Sequence, residues 1–292
     1  MNFSTHQFAG SPALCYGEGP ANGPALLLLH GVTRCWREWE QLLPELTQHW
    51  RVLALDHRGH GASGNAERYL VVDYVADAVR FVREVVAGPI VILGHSLGAM
   101  TAAGVAAEVP EFVRAIILED PPFQTMGNRI AGSAWEAQFI GVREAGRRGG
   151  TIEELADALA EIRIPMPGGG FKRFGELRNR AALLWGAECL QQLDPELLTP
   201  IIAGRWLDGY DVARVFAGIR CPVLLLQGDA AAGGALTDED VQIAQRSVAD
   251  CRVVRFSGTG HQIHRERLEE TLQAVREFAA TLDPDCRGPA DR

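Results

Sequence analysis

A serine flanked by two glycines, in the order Gly-His-Ser-Leu-Gly, occupies residues 94–98. An apolar segment precedes it and a small, alanine-rich segment follows it, which predicts a tight turn from a buried strand into a helix. On such a turn the hydroxyl of Ser96 stands clear of the sheet, and the backbone N–H of Leu97 lies at the positive end of the helix. The spacing therefore predicts a nucleophilic serine, with Leu97 as one donor to an oxyanion on an attacked carbonyl.

A serine hydroxyl needs a base to act as a nucleophile at neutral pH, and two histidines lie beyond the last predicted strand. His261 follows two closely spaced glycines, which would let its loop fold back over the serine. We therefore assign the base to His261 rather than to His264. A second oxyanion donor is expected on the loop that follows an earlier apolar strand, at residues 30–32, and we assign it to the N–H of Val32.

The composition disfavours several other function classes. The 292 residues carry a formal net charge of −9, which disfavours nucleic acid and anionic membrane surfaces as partners. No apolar run has the length of a membrane span, and the N-terminus has neither the basic nor the apolar region of a signal peptide. We therefore expect a cytoplasmic protein without membrane association.

The cysteines and histidines form no recognisable metal motif. Six cysteines are scattered without any Cys-x-x-Cys spacing, which favours reduced thiols over a zinc or redox site. Asp56, His57 and His60 lie close together, but this stretch is rich in glycine and no partner at ligand spacing follows, so a structural turn is favoured. No phosphate-cradling motif occurs, and we expect neither a metal nor a cofactor.

Strands and helices alternate along most of the chain. The main predicted strands are residues 25–29, 51–56, 91–93, 113–118, 223–227 and 252–256. The predicted helices between and after them are residues 37–47, 72–86, 99–108, 239–248 and 266–281. From 123 to 218 the alternation stops, and helices broken by glycine-rich stretches are predicted. The pattern predicts an α/β fold with a doubly wound, mostly parallel sheet in residues 1–122 and 219–292, and a helical cap inserted after the strand that ends at Glu119. A disordered tail is expected at residues 283–292.

These residues resemble the α/β-hydrolase superfamily. The resemblance rests on His30-Gly31, the stretch Asp-His-Arg-Gly-His-Gly-Ala-Ser at 56–63, the serine turn at 94–98 and Ser-Gly-Thr-Gly-His at 257–261, in the order of the family. It implies a nucleophilic serine, a histidine base and an acid. A serine nucleophile argues against dehalogenase and epoxide hydrolase chemistry, which in this superfamily uses an aspartate at that place.

The acid of this expected set stays open. Relatives usually place an aspartate three residues after the glycine that ends the strand at 223–227, and Ala231 occupies that position here. Asp229 lies two residues earlier, while Glu119 matches the place from which haloalkane dehalogenases and zearalenone lactonases take their acid. We expect Glu119 or Asp229 to be the acid. Asp120 ranks third, because it is expected to cap the turn made by the two prolines that follow it.

The expected function is hydrolysis of a small or medium apolar ester or lactone through an acyl-enzyme on Ser96. Trp36 and the cap aromatics Trp135, Phe139 and Trp185 are expected to line the substrate pocket. A carbon–carbon bond hydrolase or a cofactor-free perhydrolase would use the same residues. A ligand receptor that keeps the fold and the pocket is the non-enzymatic alternative. The oligomeric state is left open.

Overall fold

The computed structural model describes residues 3–127, 129–166 and 168–282. The disorder expected for residues 283–292 falls outside the described residues, as does Cys286. Strands and helices alternate in the first part of the chain. Its elements are β1 (Ser4–Phe8), β2 (Leu14–Glu18), β3 (Ala25–Leu29), a 3₁₀ turn (Trp36–Trp39), α1 (Leu43–His49), β4 (Arg51–Leu55), α2 (Val71–Phe81), β5 (Ile90–His95), α3 (Leu97–Glu108) and β6 (Val113–Glu119).

Residues 123–218, called here the helical insertion, connect β6 to the next strand of the main sheet. Its elements are α4 (Ala134–Arg148), α5 (Ile152–Ala160), β7 (Arg163–Pro165), β8 (Phe171–Arg173), α6 (Phe174–Leu177), α7 (Arg180–Gln191), α8 (Thr199–Ile202) and α9 (Val212–Gly218). The small antiparallel pair of β7 and β8 was not predicted from the sequence. That the insertion forms a separate cap domain with these boundaries stays a prediction.

The alternation resumes after the helical insertion. The remaining elements are β9 (Val223–Gly228), α10 (Asp238–Ser247), β10 (Cys251–Phe256), α11 (Ile263–Glu266) and α12 (Leu268–Ala279). No helix in the described part of the chain is both long and apolar enough to cross a membrane.

Eight of the strands form one twisted sheet in the order β1-β2-β4-β3-β5-β6-β9-β10. The pairs β1/β2 and β2/β4 are antiparallel, and every other neighbouring pair is parallel. Helices α2 and α3 bury apolar side chains on one face, and α1 and α12 do so on the other. The predicted doubly wound, mostly parallel α/β fold is therefore confirmed.

The helix predicted over residues 37–47 is wrong in its first half. Residues 36–39 form a 3₁₀ turn, and α1 begins only at Leu43, with Pro44 in its first turn. Trp39, Leu42 and Leu46 are nevertheless all buried in the same layer. The apolar spacing therefore indicated the buried side of this segment correctly but not the break in it.

The turn after β5 brings two glycines against neighbouring backbone. A Cβ on Gly98 would lie 1.8 Å from the carbonyl oxygen of Leu29 in β3, and a Cβ on Gly94 would lie 2.2 Å from the carbonyl oxygen of Gly98. Both distances are far below van der Waals contact, and backbone atoms cannot move aside as a flexible side chain can. Close approach therefore requires glycine on both sides of Ser96.

Gly98→Ala is expected to destabilise the protein by about 3 kcal/mol or more, because the new methyl group overlaps the backbone of β3. Gly186→Ala is the matched control. It lies inside α7, where the new methyl group has ordinary contact at 3.4 Å, so helix propensity should stabilise it by up to about 1 kcal/mol. Urea unfolding of both variants measures the difference, and similar midpoints would contradict the crowding described here.

Candidate active site

Three polar residues with unusual backbone angles lie at the carboxyl edge of the sheet. Ser96 follows β5 with φ 53° and ψ −113°, Asp120 follows β6 with φ 45°, and Thr33 lies on the loop after β3 with φ 67°. Residues other than glycine rarely adopt positive φ, and such strain is concentrated at functional sites. The backbone angles therefore indicate that the functional site lies at this edge of the sheet.

Ser96 and His261 line the same cavity, which lies beneath the helical insertion. Val32 from the loop after β3 lines the same cavity, as do Trp135 and Phe139 from α4. Ser96 is only 3% exposed, and the ring of Trp135 meets that of His261 edge-on, with centroids 5.0 Å apart. The reacting groups predicted from the sequence therefore share one largely covered space.

The structure places the other two predicted pocket aromatics elsewhere. Trp185 lines an adjoining cavity, where the guanidinium groups of Arg37 and Arg265 lie 5.5 and 5.8 Å from the centre of its ring. Trp36 stacks on Phe3 at 5.6 Å and packs with the layer of α1 and α12. Trp36 was expected at the pocket, and this assignment is corrected because its side chain lies on the other face of the sheet.

Asp120 is the carboxylate that contacts His261. Its Oδ2 lies 2.7 Å from Nδ1 of His261, and the residue is fully buried. A carboxylate accepts, so Nδ1 carries the hydrogen, and Nε2 is left as the proton acceptor of the neutral ring. Burial alone would raise the pKa of Asp120, but the hydrogen bond from His261 and backbone N–H groups lower it overall.

The end of β9 and the loop after it, one of the two places where the sequence predicted the acid, instead hold Asp120 in place. The N–H groups of Gly228, Ala235 and Leu236 donate to the two oxygens of Asp120 at 2.7–3.1 Å. Asp229, on the same loop, accepts from the N–H groups of Ala231 and Gly258 and does not contact His261. Asp229 is therefore corrected as the expected acid, and Asp120 does more than cap a proline turn.

Glu119 is also corrected as the expected partner of His261. Both oxygens of Glu119 lie 2.9 Å from Nδ1 of His264, and the backbone N–H of His264 donates to one of them at 3.0 Å. Glu119 and His264 are fully buried, and the ring of His264 packs on Trp39. This second carboxylate–histidine pair therefore belongs to the core rather than to the cavity.

The register of β5 and β6 explains why Asp120, and not Glu119, lies beside Ser96. Glu119 pairs with His95 in the parallel register of β6 and β5, so the next residues, Asp120 and Ser96, leave the sheet at the same level. Successive strand residues face opposite sides of a sheet, so only one of Glu119 and Asp120 can lie on the same side as Ser96. The register was unknown from the sequence, but the strand end at Glu119 was not.

Two backbone N–H groups beside Ser96 have no acceptor within the described part of the chain. The N–H groups of Gly31 and Thr33 are taken by Glu38 and by Nε2 of His60, which leaves the N–H of Val32 between them free. The N–H of Leu97, the first of α3, is likewise free. The structure thus leaves both predicted oxyanion donors available next to the serine.

The cavity also contains positive charge, which was not predicted from the sequence. Arg34 and Arg178 line it together with Ser96, and Arg265 lines the adjoining space. The only carboxylate within 4.0 Å of any of the three, among the described residues, is Glu38, 3.9 Å from Nε of Arg34. Burial and the charge of Arg34 lower the pKa of Arg265. The cavity lining is therefore a mixture of apolar and cationic side chains.

The histidines near residues 56–60 pack as a structural cluster. Nε2 of His30 accepts from the backbone N–H of His57, and the rings of His30, His57 and His60 meet edge-on around Tyr74. Across residues 3–127, 129–166 and 168–282, no three His, Cys, Asp or Glu side chains are grouped so as to hold a metal ion.

Comparison with known proteins places this geometry in a family. A family model described as the alpha/beta hydrolase family matches residues 26–278. The chain is 26% identical to 2-(acetamidomethylene)succinate hydrolase of Mesorhizobium japonicum over 265 residues, and 24% identical to N-formylmaleamate deformylase of Pseudomonas putida over 263 residues, with 88% of each chain covered in both cases.

Among solved structures, an enol-lactonase from Burkholderia xenovorans superposes with a TM-score of 0.69 at 21% identity. The superposition covers 92% of this chain and 96% of the lactonase, which at this identity speaks for the fold alone. The family match extends over most of the sheet, the serine turn and the loop of His261. The chain belongs to the alpha/beta hydrolase family.

Proposed function

We propose that this protein is a serine hydrolase that cleaves an ester, lactone or amide bond in a small substrate carrying a carboxylate. The observation that carries the proposal is the hydrogen bond of 2.7 Å between Asp120 and Nδ1 of His261, in the cavity that Ser96 lines. This contact fixes the ring so that Nε2 is the free base. The order Ser96, Asp120, His261 along the chain is that of α/β-hydrolases.

In the first half of the reaction, Oγ of Ser96 attacks the acyl carbon while its proton passes to Nε2 of His261. The carbonyl π bond becomes an oxyanion, which accepts hydrogen bonds from the N–H groups of Val32 and Leu97. Asp120 stabilises the imidazolium formed at His261. The oxyanion then collapses, the bond to the leaving group breaks, and His261 gives its proton to that group.

In the second half, a water molecule takes the place of the leaving group. His261 removes a proton from the water, the resulting hydroxide oxygen attacks the acyl carbon, and the oxyanion forms again at Val32 and Leu97. Collapse releases a carboxylic acid and returns the proton to Oγ of Ser96. The two halves use the same groups, so one cavity suffices for both.

The substrate class is proposed from the charge of the cavity. Arg34 and Arg178 lie beside Ser96, and among the described residues the only carboxylate within 4.0 Å of either guanidinium is Glu38, 3.9 Å from Arg34. A guanidinium in a partly covered site favours a planar carboxylate. The names of the two relatives, a succinate hydrolase and a maleamate deformylase, denote substrates that combine carboxylates with an acylated nitrogen. Both points favour an anionic substrate over the apolar one expected from the sequence.

Ser96→Ala is expected to lower kcat by at least about 10⁴-fold, because no other hydroxyl replaces the nucleophile. Asp120→Asn should lower kcat by about 10³- to 10⁴-fold, because the ring of His261 loses its orienting carboxylate. Asp229→Asn is the matched control and should stay within about tenfold of the wild type. Release of nitrophenol from a nitrophenyl ester measures all three, and comparable losses for the two aspartate variants would contradict the assignment of Asp120.

The pH profile of kcat/KM should have its acidic limb below about pH 6.5, the ordinary pKa of histidine. Burial lowers the pKa of His261, and this effect outweighs the hydrogen bond from Asp120, which raises it. The base must be neutral, so activity is full above the lowered pKa and falls as pH decreases through it. A midpoint above pH 6.5 would show that the free enzyme favours the protonated ring.

Mono-4-nitrophenyl succinate and 4-nitrophenyl butyrate have acyl chains of equal length but differ in one carboxylate. The wild type is expected to prefer the succinate in kcat/KM by about 10- to 100-fold, from a charge-assisted hydrogen bond to arginine. Arg34→Gln and Arg178→Gln should each reduce the preference while the butyrate is still hydrolysed. Arg180→Gln, exposed and paired with Asp157, is the control. A preference that survives both pocket variants would exclude this carboxylate site.

A further inference from the structure

A buried ion pair lies directly behind the serine turn and has no part in the reaction described above. Glu38 on the 3₁₀ turn and His95 at the end of β5 are each 2% exposed. Oε1 of Glu38 lies 3.3 Å from Nδ1 of His95. Burying a carboxylate and an imidazole so completely is costly unless each has specific partners, and the partners of this pair are informative.

Each member of the pair contacts the backbone of a different functional loop. Oε2 of Glu38 accepts the N–H of Gly31 at 2.8 Å, immediately before the free N–H of Val32. Nε2 of His95 lies 3.0 Å from the carbonyl oxygen of His261. The ion pair therefore connects the loop that carries an oxyanion donor to the loop that carries the base. These loops are more than 200 residues apart in the sequence.

The contacts determine the protonation of His95. A carbonyl oxygen only accepts, so Nε2 of His95 carries a hydrogen. Nδ1 faces a carboxylate oxygen 3.3 Å away, and two lone pairs would repel each other, so one hydrogen lies between them. Despite burial, nearby opposite charge holds the pKa of Glu38 well below its usual range and raises that of His95, which places this hydrogen on Nδ1. The ring is then an imidazolium opposite a carboxylate.

We propose that the Glu38–His95 ion pair is a positioning device for the proposed hydrolase, which holds the oxyanion loop and the base loop at their working distance. The proposal rests on the proposed function. Glu38 and His95 do not touch the reacting atoms. Glu38 anchors Gly31 beside Val32, His95 anchors the backbone of His261, and their mutual attraction joins the two anchors.

The pair also has an electrostatic effect on the base. The titratable groups around His95 are Glu38 from the 3₁₀ turn, Glu119 from β6, and the rings of His261 and His264 at centroid distances of 4.7 and 5.2 Å. Burial opposes the charge on His95, but the two carboxylates outweigh it and raise its pKa to about 9. That positive charge helps to lower the pKa of His261. The pair thus favours the neutral, reactive form of the base.

The variant Glu38→Gln tests whether the alignment of the two loops and the pKa of His261 depend on the charge of Glu38 or only on the packing of its side chain. The amide oxygen can still accept from Gly31, but the negative charge that keeps His95 protonated is lost. On 4-nitrophenyl butyrate we expect kcat to fall by about 10- to 100-fold, with KM changed by less than about threefold, because the base and the donors lose their alignment. The acidic limb of the pH profile of kcat/KM should move up by at least about half a pH unit, because the pKa of His261 rises when the nearby positive charge of His95 is lost.

The control is Glu40→Gln, two residues away. Glu40 is half exposed and pairs with Arg37 on the surface, so its variant should keep the wild-type kcat and pH profile. Ser96→Ala, assayed in parallel, tests the proposed function separately. If Ser96→Ala is inactive while Glu38→Gln retains the wild-type kcat and the wild-type acidic limb of the pH profile, the positioning role of the Glu38–His95 pair is wrong and the hydrolase assignment stands. If Ser96→Ala stays active, the assignment itself fails.

A measurement on the wild-type protein covers the case in which Glu38→Gln does not fold. Nitrogen-15 NMR of the histidine rings distinguishes an imidazolium from either neutral tautomer. We expect both ring nitrogens of His95 to carry hydrogen at pH 7 and to lose one near pH 9. A neutral His95 ring at pH 7 would overturn the proposal, because the ion pair on which it depends would not exist.

Discussion

The parallel register of β5 and β6 is the constraint on which the site depends. His95 pairs with Glu119, so Ser96 and Asp120 leave the sheet side by side, and the N–H of Ser96 donates to the carbonyl of Glu119 at 2.9 Å. Both residues then turn through positive φ. A register shifted by one residue would move one of the two side chains to the opposite face and separate the serine from the carboxylate.

The same register explains why two carboxylate–histidine pairs lie so close together with different surroundings. Glu119 and Asp120 are consecutive but face opposite sides of the sheet. Asp120 meets His261 under the helical insertion, where the ring is 12% exposed, whereas Glu119 meets His264 in a fully buried layer beside Trp39. Chemistry needs a ring that a substrate can reach, so the exposure of the histidine distinguishes the proposed reactive pair from the structural one.

Charge is arranged in layers around the serine turn. Negative side chains lie behind it, where Glu38 and Glu119 surround His95, and positive side chains lie in front, where Arg34 and Arg178 line the cavity. Arg34 approaches Glu38 at 3.9 Å and so connects the two layers. In a largely buried site, such fixed charges act more strongly than they would in solvent. The arrangement suits a substrate anion in front and an imidazolium behind.

The sequence alone determined the strand order along the chain, the glycine-flanked turn that carries Ser96, and the loops of Val32 and His261, because these depend on local spacing and backbone sterics. Only the tertiary structure decided which carboxylate meets His261, that Trp36 lies away from the cavity, and that Arg34 and Arg178 lie in it. Glu119, Asp120 and Asp229 all lie just after a predicted strand, and the local pattern favoured Glu119 and Asp229 over Asp120. The choice among them depends on strand register and on the path of the chain at the end of β9 and in the loop after it, where Gly228, Ala235 and Leu236 donate N–H groups to Asp120. The register joins residues 24 positions apart, and the contacts of Asp120 with Ala235, Leu236 and His261 join residues more than 100 positions apart, so no local pattern encodes them.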